Sequence, residues 1–154
     1  MPKKINTKDI KKLREETGAG VMEAKQMLEK FSGEYDKALK ELIKTASKKV
    51  AKKADRTAGD GLVYSYIHSG SKIGSMVLVA CETDFVAKTE VFIKLCHDIA
   101  MQACCEDYKT EEELLNAEYI KDPTKTISTL IMECTAKLGE KIELKKFVKF
   151  DVNA

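Results

Sequence analysis

Between Thr7 and Ala46 the apolar positions recur at three- and four-residue intervals in three short bursts. Ile10 and Leu13 form the first, Val21, Ala24, Met27, Leu28 and Phe31 the second, and Tyr35, Ala38, Leu39, Leu42, Ile43 and Ala46 the third. Such spacing puts each set on one face of a helix. The residues between the bursts agree: Thr7 can cap the first helix, Gly18-Ala19-Gly20 separates it from the second, and Ser32-Gly33 ends the second. The pattern predicts a three-helix domain over residues 1–46, close to the smallest size that folds alone.

After the loop signal Thr57-Ala58-Gly59-Asp60-Gly61 the period changes. LVYSYIHS (62–69), the turn Ser69-Gly70-Ser71-Lys72 and IGSMVLVACE (73–82) read as a β-hairpin. The second strand is apolar on both faces, with Ile73, Val77, Val79 and Cys81 on one and Met76, Leu78 and Ala80 on the other. A sheet covered on both sides is therefore expected. One cover is the helical stripe Phe92, Leu95, Cys96, Ile99 and Ala103, with Thr89 as its cap. A second stripe, Ile127, Leu130, Ile131, Cys134 and Leu138, stops at Gly139. The acidic stretch Glu106 to Asp122 reads as a surface connection with a short helix near Glu111 to Leu115, and KIELKKFVKF (141–150) as a third strand. The fold class is α+β, with residues 62–154 forming a β-β-α-α-β core domain around a three-stranded antiparallel sheet. Two helices cover one sheet face. The other must meet a second copy of the chain or the N-terminal helices folded back over it.

Charge divides the chain at the same place. The 154 residues carry a net charge of +2, yet residues 1–56 hold sixteen Lys/Arg against nine Asp/Glu and the remainder eleven against sixteen. Lys48, Lys49, Lys52, Lys53 and Arg56 concentrate in residues 47–61, a basic linker that is either a solvated helical segment or a phosphate-contacting arm for RNA. No aromatic interleaves with those lysines to stack on bases, so no specific nucleic-acid partner is expected. No apolar run reaches the length of a membrane span, and no apolar segment follows the charged start MPKKINTKDI, so a soluble, cytoplasmic protein is expected.

Candidate chemistry is sparse. Five cysteines, Cys81, Cys96, Cys104, Cys105 and Cys134, form no CxxC pair and read as reduced thiols, not as a disulfide framework or a zinc site. His68 and His97 have no partner at catalytic spacing, and no P-loop, HExxH or EF-hand pattern occurs. No catalytic residue, metal site or cofactor is expected. Thr83-Asp84-Phe85-Val86-Ala87 stands out, because it joins a buried strand to a helix and places a carboxylate and a phenylalanine on a short turn at the sheet edge. Phe85 is either an exposed wedge beside Asp84 or a lid over the helix start.

The stretch LREETGAGVMEAKQMLEKFSGEYDKALKELIKTASKKVAKKADRTAGDG, with CETDFVAKTEVF and LGEKIELKKF after it in order, resembles the elongation factor Ts family from about Ile5 to Phe150. The resemblance implies a short form with one core subdomain, an N-terminal domain similar to ubiquitin-associated (UBA-like) three-helix domains, and a guanine-nucleotide exchange factor that performs no bond chemistry. It implies elongation factor Tu as partner, with Arg14, Val21 and Met22 touching a partner helix. Asp84 and Phe85 would enter near the partner's Mg²⁺ site, Phe85 as the intruding wedge, and Leu138 and Gly139 would make a further contact beside the nucleotide. Short members pair two chains, which implies a homodimer joined through the sheets and a two-to-two complex. Glu82 stands where Gln is usual and Val21 where Met is common. The rival reading is an adaptor, with a UBA-like peptide-binding module and a basic RNA-binding arm.

Overall fold

A computed structural model describes residues 5–154; residues 1–4, which open the expected three-helix domain, lie outside the described residues. The three N-terminal helices are α1 (Thr7–Thr17), α2 (Val21–Lys30) and α3 (Tyr35–Ala51). Asn6 caps the first in place of Thr7: its side chain accepts the Lys8 N–H, and Thr7 is already helical. Gly18 closes α1 in the left-handed conformation, with its N–H on the Arg14 carbonyl. Leu13, Ala24, Leu28, Ala38 and Leu42 form a core of their own.

The rest of the chain builds a second core on the sheet β1-β2-β5, with β1 (Asp60–Ile67), β2 (Ile73–Cys81) and β5 (Glu143–Asp151) all antiparallel. A one-turn helix α4 (Asp84–Ala87) follows β2. Next come α5 (Glu90–Ala103), α6 (Glu111–Asn116), the short hairpin β3 (Glu118–Tyr119) and β4 (Asp122–Thr126), and α7 (Ile127–Leu138). The α+β class and the three-stranded sheet are as expected. The connection from 106 to 122 carries more than its composition suggests: Leu114 and Tyr119 are buried in the main core. Gln102 holds it there, donating to the Tyr108 hydroxyl and the Glu118 carbonyl and accepting the Ile120 N–H. Polar residues fixing an acidic segment leave no periodic signal in the sequence.

Helix α5 lies on the inner face of the sheet, over Val77, Val79 and Cys81, and α7 packs against α5 and α6. The opposite side of α7 receives α3 and α1. Gly18 seats that contact, since a Cβ there would lie 3.0 Å from the Glu133 carbonyl oxygen and 3.2 Å from the Lys137 Cβ. The N-terminal helices therefore dock on α7, not over the sheet. Among the described residues nothing covers the outer sheet face, which presents three cross-strand rows, Val63–Leu78–Lys146, Ser65–Met76–Val148 and Ile67–Gly74–Phe150. Five of those side chains, Val63, Ile67, Met76, Val148 and Phe150, are exposed large apolar groups. No described helix is long and apolar enough to cross a membrane.

One buried charge ties the β3–β4 hairpin to α5. Asp98 is 4% exposed and pairs with Lys94 and with Lys121 at 3.2 Å. Burial alone would raise its carboxyl, but hydrogen bonds and charge from Lys94 and then Lys121 outweigh it and hold the group below the usual aspartate range. A lowered native pKa means stability that is present above the ordinary carboxylate range and lost as pH falls through the native value. Asp98→Asn is accordingly expected to lower stability at pH 7 and to make the acid-side loss of stability shallower, as read by urea unfolding at pH 7 and pH 4.

Candidate functional site

The segment that joins β2 to α5 turns on Thr83. Its side chain caps α4 by accepting the Val86 N–H. Val86 and Ala87 are buried against the core. Because successive helical residues lie about 100° apart, burying those two drives Asp84, Phe85 and Lys88 outward. Phe85 is 81% exposed, the most exposed large apolar side chain among the described residues. Asp84 accepts a hydrogen bond from Lys88 at 2.8 Å, and that contact and charge hold its carboxyl below the usual range. The reading of Phe85 as a lid over the helix start does not fit this placement.

A second loop is fastened beneath this turn. Gly139, left-handed at φ 76°, ends α7, and the next residue, Glu140, reaches back to the segment before α4. Its Oε1 accepts the Glu82 N–H at 3.1 Å and the Thr83 N–H at 3.0 Å, and its Oε2 accepts the Thr83 hydroxyl at 2.7 Å. Glu82 reciprocates by accepting the Lys141 N–H at 2.7 Å. Arg56 stands 3.5 Å from the same Glu82 oxygen, and the Lys141 ammonium donates to the Ala54 carbonyl at 2.7 Å. The Lys141 N–H is the main cause, with Arg56 adding to it, of a Glu82 carboxyl held below the usual glutamate range. Glu82 is thus an acceptor in a brace.

The brace joins two of the sequence-derived groups, Asp84 and Phe85 with Leu138 and Gly139. Leu138 is half-buried on the main core and Gly139 is exposed. Arg14, Val21 and Met22 are all exposed around the α1–α2 turn. They lie apart from the first group, on the helices that dock on α7 through Gly18. Sequence reasoning missed Glu140, Thr83 and Arg56 as parts of this arrangement. Glu140 lay inside a matched stretch, but nothing in its neighbours shows that its carboxylate serves residues 57 and 58 positions away.

Cys81, Cys96 and Cys104 are buried, and burial pushes the Cys96 thiol up to about 12 and that of Cys134 to about 11. His97 packs edge-on against Tyr64 and Tyr66, and its Nδ1 lies 3.2 Å from the Tyr64 hydroxyl. Among the described residues no cluster of His, Cys, Asp and Glu is placed to hold a metal ion.

Fold and site together define an α+β protein that exposes large apolar side chains at three places: the phenylalanine of the α4 turn, the start of α2 and the open sheet face. Residues 82–154 match the family model described as elongation factor TS. The chain is 36% identical over 193 aligned positions to the elongation factor Ts of Moorella thermoacetica, covering 96% of this chain and 95% of that protein. It is 37% identical to that of Heliobacterium modesticaldum, covering 93% and 87% respectively. To the elongation factor Ts of Clostridium botulinum (strain ATCC 19397 / Type A) it is 40% identical over 149 residues, 97% of this chain. The chain spans about half, 48%, of the length of that relative. The chain belongs to the elongation factor Ts family.

Proposed function

We propose that the chain is a guanine-nucleotide exchange factor for elongation factor Tu, acting by inserting Phe85 near the partner's Mg²⁺ site and without bond chemistry of its own. The observation that carries this reading is Phe85 itself, a large apolar side chain held in water by a capped and braced turn. Nucleotide bound at nanomolar affinity lies roughly 12 kcal/mol below the free state, and a ~10³-fold faster release requires an exit barrier lower by about 4 kcal/mol. Binding energy can supply that difference if the factor prefers the partner with its metal site disrupted. By linkage, returning nucleotide then weakens the factor to the same extent.

In this reading residues 1–46 act as an anchoring domain through Arg14, Val21 and Met22, residues 47–61 as a linker, and residues 62–154 as the exchange and dimerisation domain. Asp84 flanks the wedge, and Leu138 and Gly139 add a contact beside it. The open sheet face pairs with a second copy, giving a homodimer and a two-to-two complex. The adaptor with an RNA-binding arm draws less support, since Lys49 and Arg56 of the basic stretch are already engaged with Glu23 and Glu82.

The test is release of fluorescent GDP from elongation factor Tu under excess unlabelled GDP. The rate is expected to rise with factor concentration and then saturate. A rate unchanged across a wide range of factor concentration contradicts the proposal.

A further inference from the structure

The helix that carries Phe85 has four residues, too few to hold a direction by its own hydrogen bonds. Its inner side is fixed by Val86 and Ala87, and at its C-terminal end the Thr89 hydroxyl donates to the Val86 carbonyl. Its N-terminal side is fixed by Glu140, which takes both N–H groups and the hydroxyl of the two residues that lead into the turn. Glu140 in turn follows Gly139, the cap of α7, and α7 packs against the main core on one side and the N-terminal helices on the other. The mount of Phe85 is therefore α7, and Glu140 is the joint.

We propose that Glu140 is a positioning residue for exchange: it sets the direction in which Phe85 leaves the surface, so that the side chain meets its target preformed instead of after a search. This rests on the reading of Phe85 as the intruding group. Three features support it. The carboxylate offers one oxygen to two N–H donors and the other to a hydroxyl, a division that orients the acceptor plane as well as neutralising the donors. The link is reciprocal, because Glu82 returns a bond to Lys141, so the two loops shift together or not at all. Glu140 is also only half-buried, so water can satisfy the Glu82 and Thr83 N–H groups when the carboxylate is removed. Its loss should therefore loosen the turn without unfolding the chain.

Chemistry separates the variants. Glu140→Ala removes every acceptor. Glu140→Gln keeps an Oε1 for both N–H groups and exchanges only the contact to the Thr83 hydroxyl. With residues 1–154 and elongation factor Tu, Glu140→Ala is expected to lower the saturating GDP-release rate about tenfold while the half-saturating concentration stays within about twofold, because Arg14, Val21 and Met22 anchor elsewhere. Glu140→Gln is expected to recover the rate to within about threefold of the parent. If Glu140 acts through Phe85, the double variant Phe85→Ala/Glu140→Ala releases GDP no more slowly than Phe85→Ala alone. A partner-free readout accompanies these rates: in Glu140→Ala the Thr83 amide exchanges its hydrogen faster, while the amides of the β1–β2 ladder keep their protection. Unchanged Thr83 exchange, a full release rate in Glu140→Ala, or additive losses in the double variant each overturn the proposal. A fully active Phe85→Ala overturns instead the reading on which it rests.

Discussion

Phe85→Ala is expected to leave the free protein as stable as the parent and to reduce GDP release from elongation factor Tu by about a hundredfold or more. The stability half follows from burial. A core phenylalanine cut to alanine costs ~3–5 kcal/mol through lost transfer energy and the cavity left behind. Phe92, fully buried on the core-facing side of α5, is the site where that cost applies. Phe85 is 81% exposed, has little contact to lose, and sits in a helix turn that favours alanine. The activity half follows from how exchange is driven. A side chain that meets the partner only in the state that releases nucleotide lowers the barrier by its whole contact energy, and a desolvated phenyl ring supplies roughly 2–3 kcal/mol or more. Melting curves and stopped-flow release with the same preparation check both halves. A large drop in melting temperature would show Phe85 to be structural.

The second large effect is expected at the open sheet face. Met76 lies in the middle row, between Ser65 on β1 and Val148 on β5, and is flanked by the exposed Ile67, Phe150 and Val63. A two-fold pairing of this face brings each substituted position in twice, so Met76→Lys places two ammonium groups in one apolar interface. Burying an unpaired charge costs several kcal/mol, and ~3 kcal/mol already weakens a dimer more than hundredfold. Sedimentation at micromolar concentration is expected to give the mass of two chains for the parent and of one for the variant. The fold of the variant should persist, because Met76 is 48% exposed within one chain. A parent that sediments as a single chain contradicts the pairing.

The sequence showed those parts of the structure that repeat. The period of 3.6 placed α1, α2, α3, α5 and α7, and glycine and threonine marked several of their ends, with Gly18, Thr89 and Gly139 in the expected capping positions. Apolar, β-branched and aromatic runs between turn signals placed β1 and β2, an amphipathic run placed β5, and the two apolar faces of β2 exposed the problem of the second sheet face. Single side chains acting across the chain stayed hidden. Gln102 draws an acidic connection into the core, and Glu140 fastens a turn from 57 and 58 residues away. Neither belongs to a periodic stripe. Asn6 in place of Thr7 shows the same limit locally, since two adjacent residues can both cap and only the backbone decides. At the site, TDFVA stood out by its place between a strand and a helix, while whether the Phe85 ring is exposed or packed over the helix start needed the buried pair Val86 and Ala87 to fix which way it faces.

The claim that Phe85 itself enters the partner's nucleotide site is tested most directly by proximity. A photoreactive benzoylphenylalanine placed at position 85 and irradiated in complex with nucleotide-free elongation factor Tu is expected to crosslink to the nucleotide-binding domain, at residues bordering the Mg²⁺ site, with GDP suppressing the product. Crosslinks confined to another surface of the partner, or equally abundant with GDP bound, would contradict it.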